Sequence, residues 1–102
     1  MPVTPTREEL AATVDVAEWR LLRGHLERGG LIVVDRELDL VEAGVRVAND
    51  DAATIGSWIE AGKLAKPSAE QIAELDAADE KKFRMLIISP YILIQDEGLT
   101  VG

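Results

Sequence analysis

The side chains best suited to chemistry are oxygen donors that crowd into residues 35–51. Carboxylate and amide oxygens bind hard cations such as Mg²⁺ and Ca²⁺. Their spacing does not match an EF-hand loop, however, and Asp39 and Asp51 stand where helix N-caps are expected. We therefore predict structural capping in preference to a metal site, and keep Asp35, Asp39, Asp50 and Asp51 as candidate ligands. The full set is Asp35, Glu37, Asp39, Glu42, Asn49, Asp50 and Asp51.

No other group of residues has the spacing of a catalytic centre. His25 is the single histidine and the chain has no cysteine, which removes thiolate nucleophiles and cysteine-based zinc sites. A hydrolytic triad would need His25 beside an activated serine, and there is no G-x-S-x-G elbow. Gly29-Gly30 precedes a strand, the wrong side for a phosphate-binding loop. The sequence predicts a protein that is not an enzyme and carries no cofactor.

A DNA-binding alternative comes from residues 54–64. The pattern W-I-x-x-G-K-L over residues 58–64, after a helix and a tight turn, resembles the recognition helix of excisionase-type helix-turn-helix proteins. Such a helix places its first turn against bases and phosphates. Here that turn carries Asp50 and Asp51, and no arginine lies between residues 46 and 84. Because these charges oppose phosphate binding, Trp58 and Ile59 are predicted to be core residues instead.

The overall charge disfavours two further classes of binding partner. The net charge is −8 at pH 7, so the long-range field repels nucleic acid and anionic membranes. The longest apolar run, residues 85–94, is interrupted by Ser89-Pro90 and is about half the length of a membrane span. The first dozen residues lack the pattern of a signal peptide. We expect a cytoplasmic protein with no membrane partner.

The N-terminal half is predicted to form two helices and a strand. Thr6 and Glu9 have capping-box spacing, although Pro2 and Pro5 suggest that residues 1–14 are loosely ordered. Asp15 is predicted to cap a helix that runs to Gly29-Gly30, with apolar residues spaced three and four apart. The apolar run at residues 31–34 is typical of a buried strand.

The C-terminal half has three further cap signals. Asp39 predicts a helix of about ten residues, Asp51 begins a second that ends near Gly62, and the Ser68/Gln71 capping box begins a third. Residues 83–88 and 91–95 form either one long strand bent at Pro90 or two strands around it. Proline has no amide hydrogen to donate, so this point is expected at an edge or bulge.

These elements predict a single α+β domain over residues 15–97, with a frayed tail at 98–102. Three to four helices pack on one face of a small β-sheet built from residues 31–35 and 83–95. The residues expected to be buried by the helices are Trp19, Leu22, Leu26, Val41, Val45, Ile55, Trp58, Ile59, Ile72 and Leu75.

Taken together, the short motifs resemble a family of small uncharacterised bacterial proteins, a domain of unknown function. The likeness runs from about residue 15 to residue 95. It implies a compact cytoplasmic bacterial protein and brings no activity, cofactor or catalytic residue. The motifs are L-D-L-V-E at 38–42, Asp50-Asp51, Trp58-Ile59 with Gly62 and Leu64, Pro67-Ser68 with Gln71, and P-Y-I-L-I-Q at 90–95.

The function that fits these observations is a non-enzymatic interaction module, which binds a protein partner or a second copy of itself. A small sheet with a kinked strand leaves an edge that partners commonly cover. Self-association is expected through the 83–95 strand or through the helix of Trp58. Trp58, Tyr91 and Gln95 are the candidate interaction residues. DNA binding, and binding of a small molecule or divalent metal at the acidic patch, remain alternatives.

Overall fold

The computed structural model describes residues 6–26, 29–88 and 91–96. In this part of the chain five α-helices accompany one five-stranded sheet, which confirms the α+β class but exceeds the predicted three to four helices. A 3₁₀ helix, Arg23–His25, follows α2. The elements are α1 (Arg7–Thr13), β1 (Asp15–Glu18), α2 (Trp19–Leu22), β2 (Leu31–Val34), α3 (Leu40–Ala48), α4 (Ala52–Glu60), β3 (Leu64–Ala65), α5 (Ala69–Ala77), β4 (Lys82–Ile88) and β5 (Tyr91–Asp96).

The sheet has the order β1-β4-β5-β2-β3. β5 pairs in parallel with β2, and every other neighbouring pair is antiparallel. The segment predicted as one bent strand or two is therefore two strands, which pair with each other from Phe83↔Asp96 to Ile88↔Tyr91. Both strands lie inside the sheet with a partner on each side. The expected edge or bulge at Pro90 falls outside the described residues.

Helices cover both faces of the sheet, so the predicted packing on one face is wrong. α1, α3 and α4 contribute to a core cluster with Leu86 and Leu93, whereas Trp19 and Leu22 of α2 pack with Phe83 and Ile94 on the opposite face. The reason lies in the strands: β2, β4 and β5 are apolar at successive positions, and successive side chains point to opposite faces. Apolar runs of this kind are typical of strands buried on both sides.

The helix that was predicted to begin at Asp15 is also wrong at its start. Residues 15–18 form β1, with Ala17 opposite Phe83, and the helix begins only at Trp19. The Asp15 carboxylate accepts a hydrogen bond from the Val16 amide at 2.8 Å instead of capping a helix. Pairing with β4 therefore outweighs the local capping signal. Trp19 is nevertheless fully buried, as expected.

The remaining cap predictions are confirmed. Asp39 accepts hydrogen bonds from the amides of Val41 and Glu42, and Asp51 accepts from Thr54. Ser68 and Gln71 form a reciprocal capping box at the start of α5. These caps satisfy amide groups that a helix leaves unpaired at its first turn.

The ends of the domain were predicted at residues 15 and 97. Thr6 caps α1, and Leu10 of that helix is buried in the cluster that contains Leu40 and Leu86. The described fold thus begins ahead of residue 15. Residues 1–5 and the predicted tail at 98–102 lie outside the described residues.

Candidate functional site

An apolar cleft lies over one face of the sheet, where the helical layer is incomplete. It encloses about 450 Å³. Its floor is formed by Ile32 of β2, Leu93 of β5 and Leu64 of β3, three strands that are neighbours in the sheet. Pockets of about 300–1,000 Å³ with mainly apolar walls are the usual sites of ligand binding. The cleft is therefore the candidate functional site.

One wall of the cleft is α4. Ile55 and Ile59 both line it, because residues four apart lie on the same helix face. Ile59 was predicted to be buried and this is wrong, since 56% of its surface is exposed. Tyr91, at the start of β5, also lines the cleft and is 42% exposed. Two large apolar side chains at the site are thus partly exposed to solvent.

The end of the cleft at Asp50 and Ala52 depends on the turn between α3 and α4. Asp50 takes a left-handed conformation, φ 54°, which aspartate tolerates better than most residues. The chain then passes from α3 to α4 through three residues, 49–51. The following Asp51 is fixed by Thr54 and by Arg46, whose Nη1 lies 3.1 Å from the carboxylate.

The carboxyl group of Asp51 is held in its charged form. Hydrogen bonds from Thr54, assisted by Arg46, lower the pKa of Asp51 below its ordinary value of 3.8. Because Asp51 serves the cap and the ion pair, it holds the α3–α4 turn and is not offered to a ligand.

The turn after α4 brings the chain back beneath the helix. Gly62 has φ +76°, which glycine adopts without steric cost. The amide of Gly62 donates to the Ile59 carbonyl at 3.0 Å, and the amide of Lys63 to the Trp58 carbonyl at 2.8 Å. These bonds direct the chain into β3 and place Lys66, just beyond it, on the border of the cleft.

The charged groups on the cleft are one anion and one cation. Asp50 and Lys66 both line it, and within residues 6–26, 29–88 and 91–96 neither side chain has a hydrogen bond or ion pair. By contrast, Arg7, Arg46 and Lys63 are paired with nearby carboxylates. The cleft thus combines an apolar interior with an unpaired charge of each sign.

The four predicted metal candidates are not brought together. Asp35 accepts a hydrogen bond from the Glu37 amide at 2.8 Å, Asp39 caps α3 and pairs with Arg7, and Asp51 caps α4. Asp50 stands alone on the cleft. Among the residues that the structure describes, no three histidine or acidic side chains are placed to hold a metal ion.

The three predicted interaction residues have different surroundings. Tyr91 is exposed on the cleft, whereas Trp58 is half-buried against the α3 core cluster. Gln95 is 1% exposed, donates to the Asp35 and Leu38 carbonyls, and accepts from Arg84 at 2.6 Å. Gln95 thus ties the loop before α3 to the sheet and has no surface for a partner.

The segment that suggested the helix-turn-helix alternative, together with the helix before it, contains α3 and α4, and its charge does not suit DNA. Residues 50–62 contain three carboxylates and no lysine or arginine. Phosphate contacts supply much of the affinity in DNA binding. A recognition helix without a basic residue would lack the charged part of these contacts.

The two edge strands offer little to an added strand. β3 has two residues and β1 has four. On β1 the Val16 amide is already bonded to the Asp15 carboxylate. Short edges and locally satisfied amides are ways in which proteins avoid edge-to-edge pairing.

Sequence reasoning missed that Ile55, Ile59 and Lys66 share one cleft. The spacing of the two isoleucines indicated an apolar helix face. Such a face occurs both in protein cores and at binding surfaces, so the spacing does not distinguish them. Nothing local to the sequence indicates that the helical layer above β2 and β3 is open.

These features define a small α+β domain with an apolar cleft between α4 and the sheet. The chain belongs to the family DUF2288, described as a protein of unknown function, whose profile matches residues 5–96. The predicted resemblance to a domain of unknown function is thereby confirmed. The chain is also similar to PA1075 from Pseudomonas aeruginosa, known from an NMR solution structure, with 28% identity and a TM-score of 0.76 over 86% of this chain and 81% of that one.

None of the curated proteins compared with this chain matches it. Across the part of the chain that the structure covers, no helix has both the length and the apolar character needed to cross a bilayer.

Proposed function

We propose that this protein is a non-enzymatic interaction module of the cytoplasm, and that a protein segment docks in the cleft between α4 and the sheet. The observation that carries the proposal is the open apolar cleft of about 450 Å³, bordered by the exposed side chains of Ile59 and Tyr91. Burying apolar area there would contribute about 25 cal/mol per Å².

The choice of the cleft over the sheet edges rests on topology. The strand segment 83–95, one of the two surfaces expected to associate, lies inside the sheet, although residues 86–88 of β4 have no partner on the β1 side. The free edges are short, and one of them has a blocked amide. The helix of Trp58 was the other expected surface, and its Ile55 and Ile59 line the cleft.

Site-specific photo-crosslinking in native extract tests this proposal. A photoreactive residue in place of Ile59 should cross-link to a protein, either another copy or a different chain. The same residue in place of Leu21 provides the matched control, because Leu21 is 64% exposed on α2, the helix of the opposite face. Identical products from both positions, or none from position 59, would contradict the proposal.

A small apolar molecule is the second candidate occupant. The cleft volume of about 450 Å³ lies in the usual range for ligand pockets. Mass spectrometry of the protein under native conditions distinguishes this case, because a retained small molecule adds a fixed mass. Binding at the acidic patch has less support, since Asp35, Asp39 and Asp51 serve backbone amides.

A further inference from the structure

We infer that the occupant of the cleft is a second copy of this chain, in a two-fold symmetric dimer in which Lys66 of each copy pairs with Asp50 of the other. This inference rests on the proposed function, since it names the partner of the same site. The reasons are the charges and the shape of the cleft.

The charges of the cleft are self-complementary. It carries one cation, Lys66, and one anion, Asp50, neither of which has a side-chain partner among the described residues. In a two-fold interface, a contact from the first copy to the second is repeated from the second to the first. Two such ion pairs would therefore form at once, and the charges of Lys66 and Asp50 would both be neutralised.

The shape is self-complementary as well. Ile59 and Tyr91 are 56% and 42% exposed and lie on the border of the cleft. Each copy thus offers both a concave apolar surface and projecting apolar side chains. Mutual insertion would remove both from water, and apolar contact supplies the affinity while the ion pairs fix the register.

The net charge of the chain affects the orientation in which two copies can associate. Each chain carries −8, so two copies repel one another at long range. Opposite charges in the contact surface then favour one orientation over others. A dimer through the face of α2 and α5 would instead bring together the acidic side chains of α5, among them Glu70 and Glu74.

Charge reversal provides the test. In a homodimer of Lys66→Glu, residue 66 would face Asp50 with like charge. A homodimer of Asp50→Lys would place the new lysine against Lys66. In a mixture of the two variants, the mixed dimer restores two opposite-charge pairs. Both positions are exposed, and circular dichroism establishes that each variant is folded.

Sedimentation equilibrium of the purified full chain measures the outcome. Wild type should dimerise, each variant alone should dimerise about tenfold more weakly or worse, and the mixture should recover most of the wild-type association. Leu21→Asp, on the opposite face, should match wild type. A monomeric wild type at every concentration, or a mixture no stronger than its components, would overturn the inference.

The oligomeric state and the cross-linking result together show whether only the dimer is wrong or the proposed function as well. If the wild type is monomeric while position 59 cross-links to a different protein, the cleft is an interaction site and the second copy is not its occupant. If position 59 cross-links to nothing, both proposals fall.

Discussion

At the scale of single residues, polar groups with buried partners hold the framework of the fold. Gln95 bonds to two carbonyls of the loop before α3, and Trp19 donates from Nε1 to Asp76 at 2.9 Å. Buried polar groups with complete partners fix one arrangement of neighbouring elements. In the described residues no buried side-chain polar atom lacks a partner.

Replacing Gln95 by leucine should destabilise the protein by about 1–3 kcal/mol, because the Asp35 and Leu38 carbonyls lose their donor. Urea unfolding measures the change. Ile87→Ala is the control, since Ile87 is an exposed residue of β4 and should shift stability by less than about 0.5 kcal/mol. Equal effects of the two substitutions would show that the hydrogen bonds of Gln95 contribute nothing.

Asp76 predicts a pH dependence of stability. Hydrogen bonds from Arg23, and then from Trp19, lower the pKa of Asp76 below 3.8. The unfolded state then binds more protons, so the stabilisation is present above the unfolded pKa and is lost as pH falls through the lowered folded value. The Tm difference between wild type and Asp76→Asn should be constant from pH 7 to about 5 and shrink below about pH 4. A difference unchanged at the lowest pH would contradict this assignment.

At the scale of elements, the sequence was most informative where a side chain satisfies a nearby backbone group. Asp39, Asp51 and Ser68 were identified as caps because each acts within three residues of itself. Asp15 had the same local signal, yet β1 forms there because β4 pairs with it. The spacing of nearby residues cannot predict that a strand pairs with another one about 70 positions away.

Two helix glycines give opposite predictions. A Cβ on Gly44 would clash with the Leu86 side chain and approach Leu10 Cδ1 to 3.4 Å, whereas nothing lies within 4 Å of one on Gly56. Gly44→Ala should therefore destabilise by about 1–2 kcal/mol, since overpacking exceeds the gain in helix propensity. Gly56→Ala should stabilise by about 0.5–1 kcal/mol. Thermal unfolding of both variants measures the contrast, and equal signs would show that α3 does not pack closely on β4.

At the scale of the whole molecule, the sequence indicated the α+β class but not the arrangement of its layers. The continuous apolar runs of β2, β4 and β5 were compatible with burial on both faces, and the structure places helices on both. The cleft could not be predicted, because its lining comes from α3, α4, β2, β3 and β5. Of its residues, Tyr91 and Asp50 were singled out in advance, the first for interaction and the second as a metal ligand.

In the dimer proposed above, a second copy of the chain occupies this cleft. Amide chemical shifts, followed by NMR as the ¹⁵N-labelled protein is concentrated, test it most directly because they identify the surface that becomes buried. Shifts that grow with concentration are expected at Ile59, Lys66 and Tyr91, and none at Leu21 or Leu75 on the opposite face. Shifts confined to the α2–α5 face, or a concentration-independent spectrum with the rotational correlation time of a monomer, would contradict it.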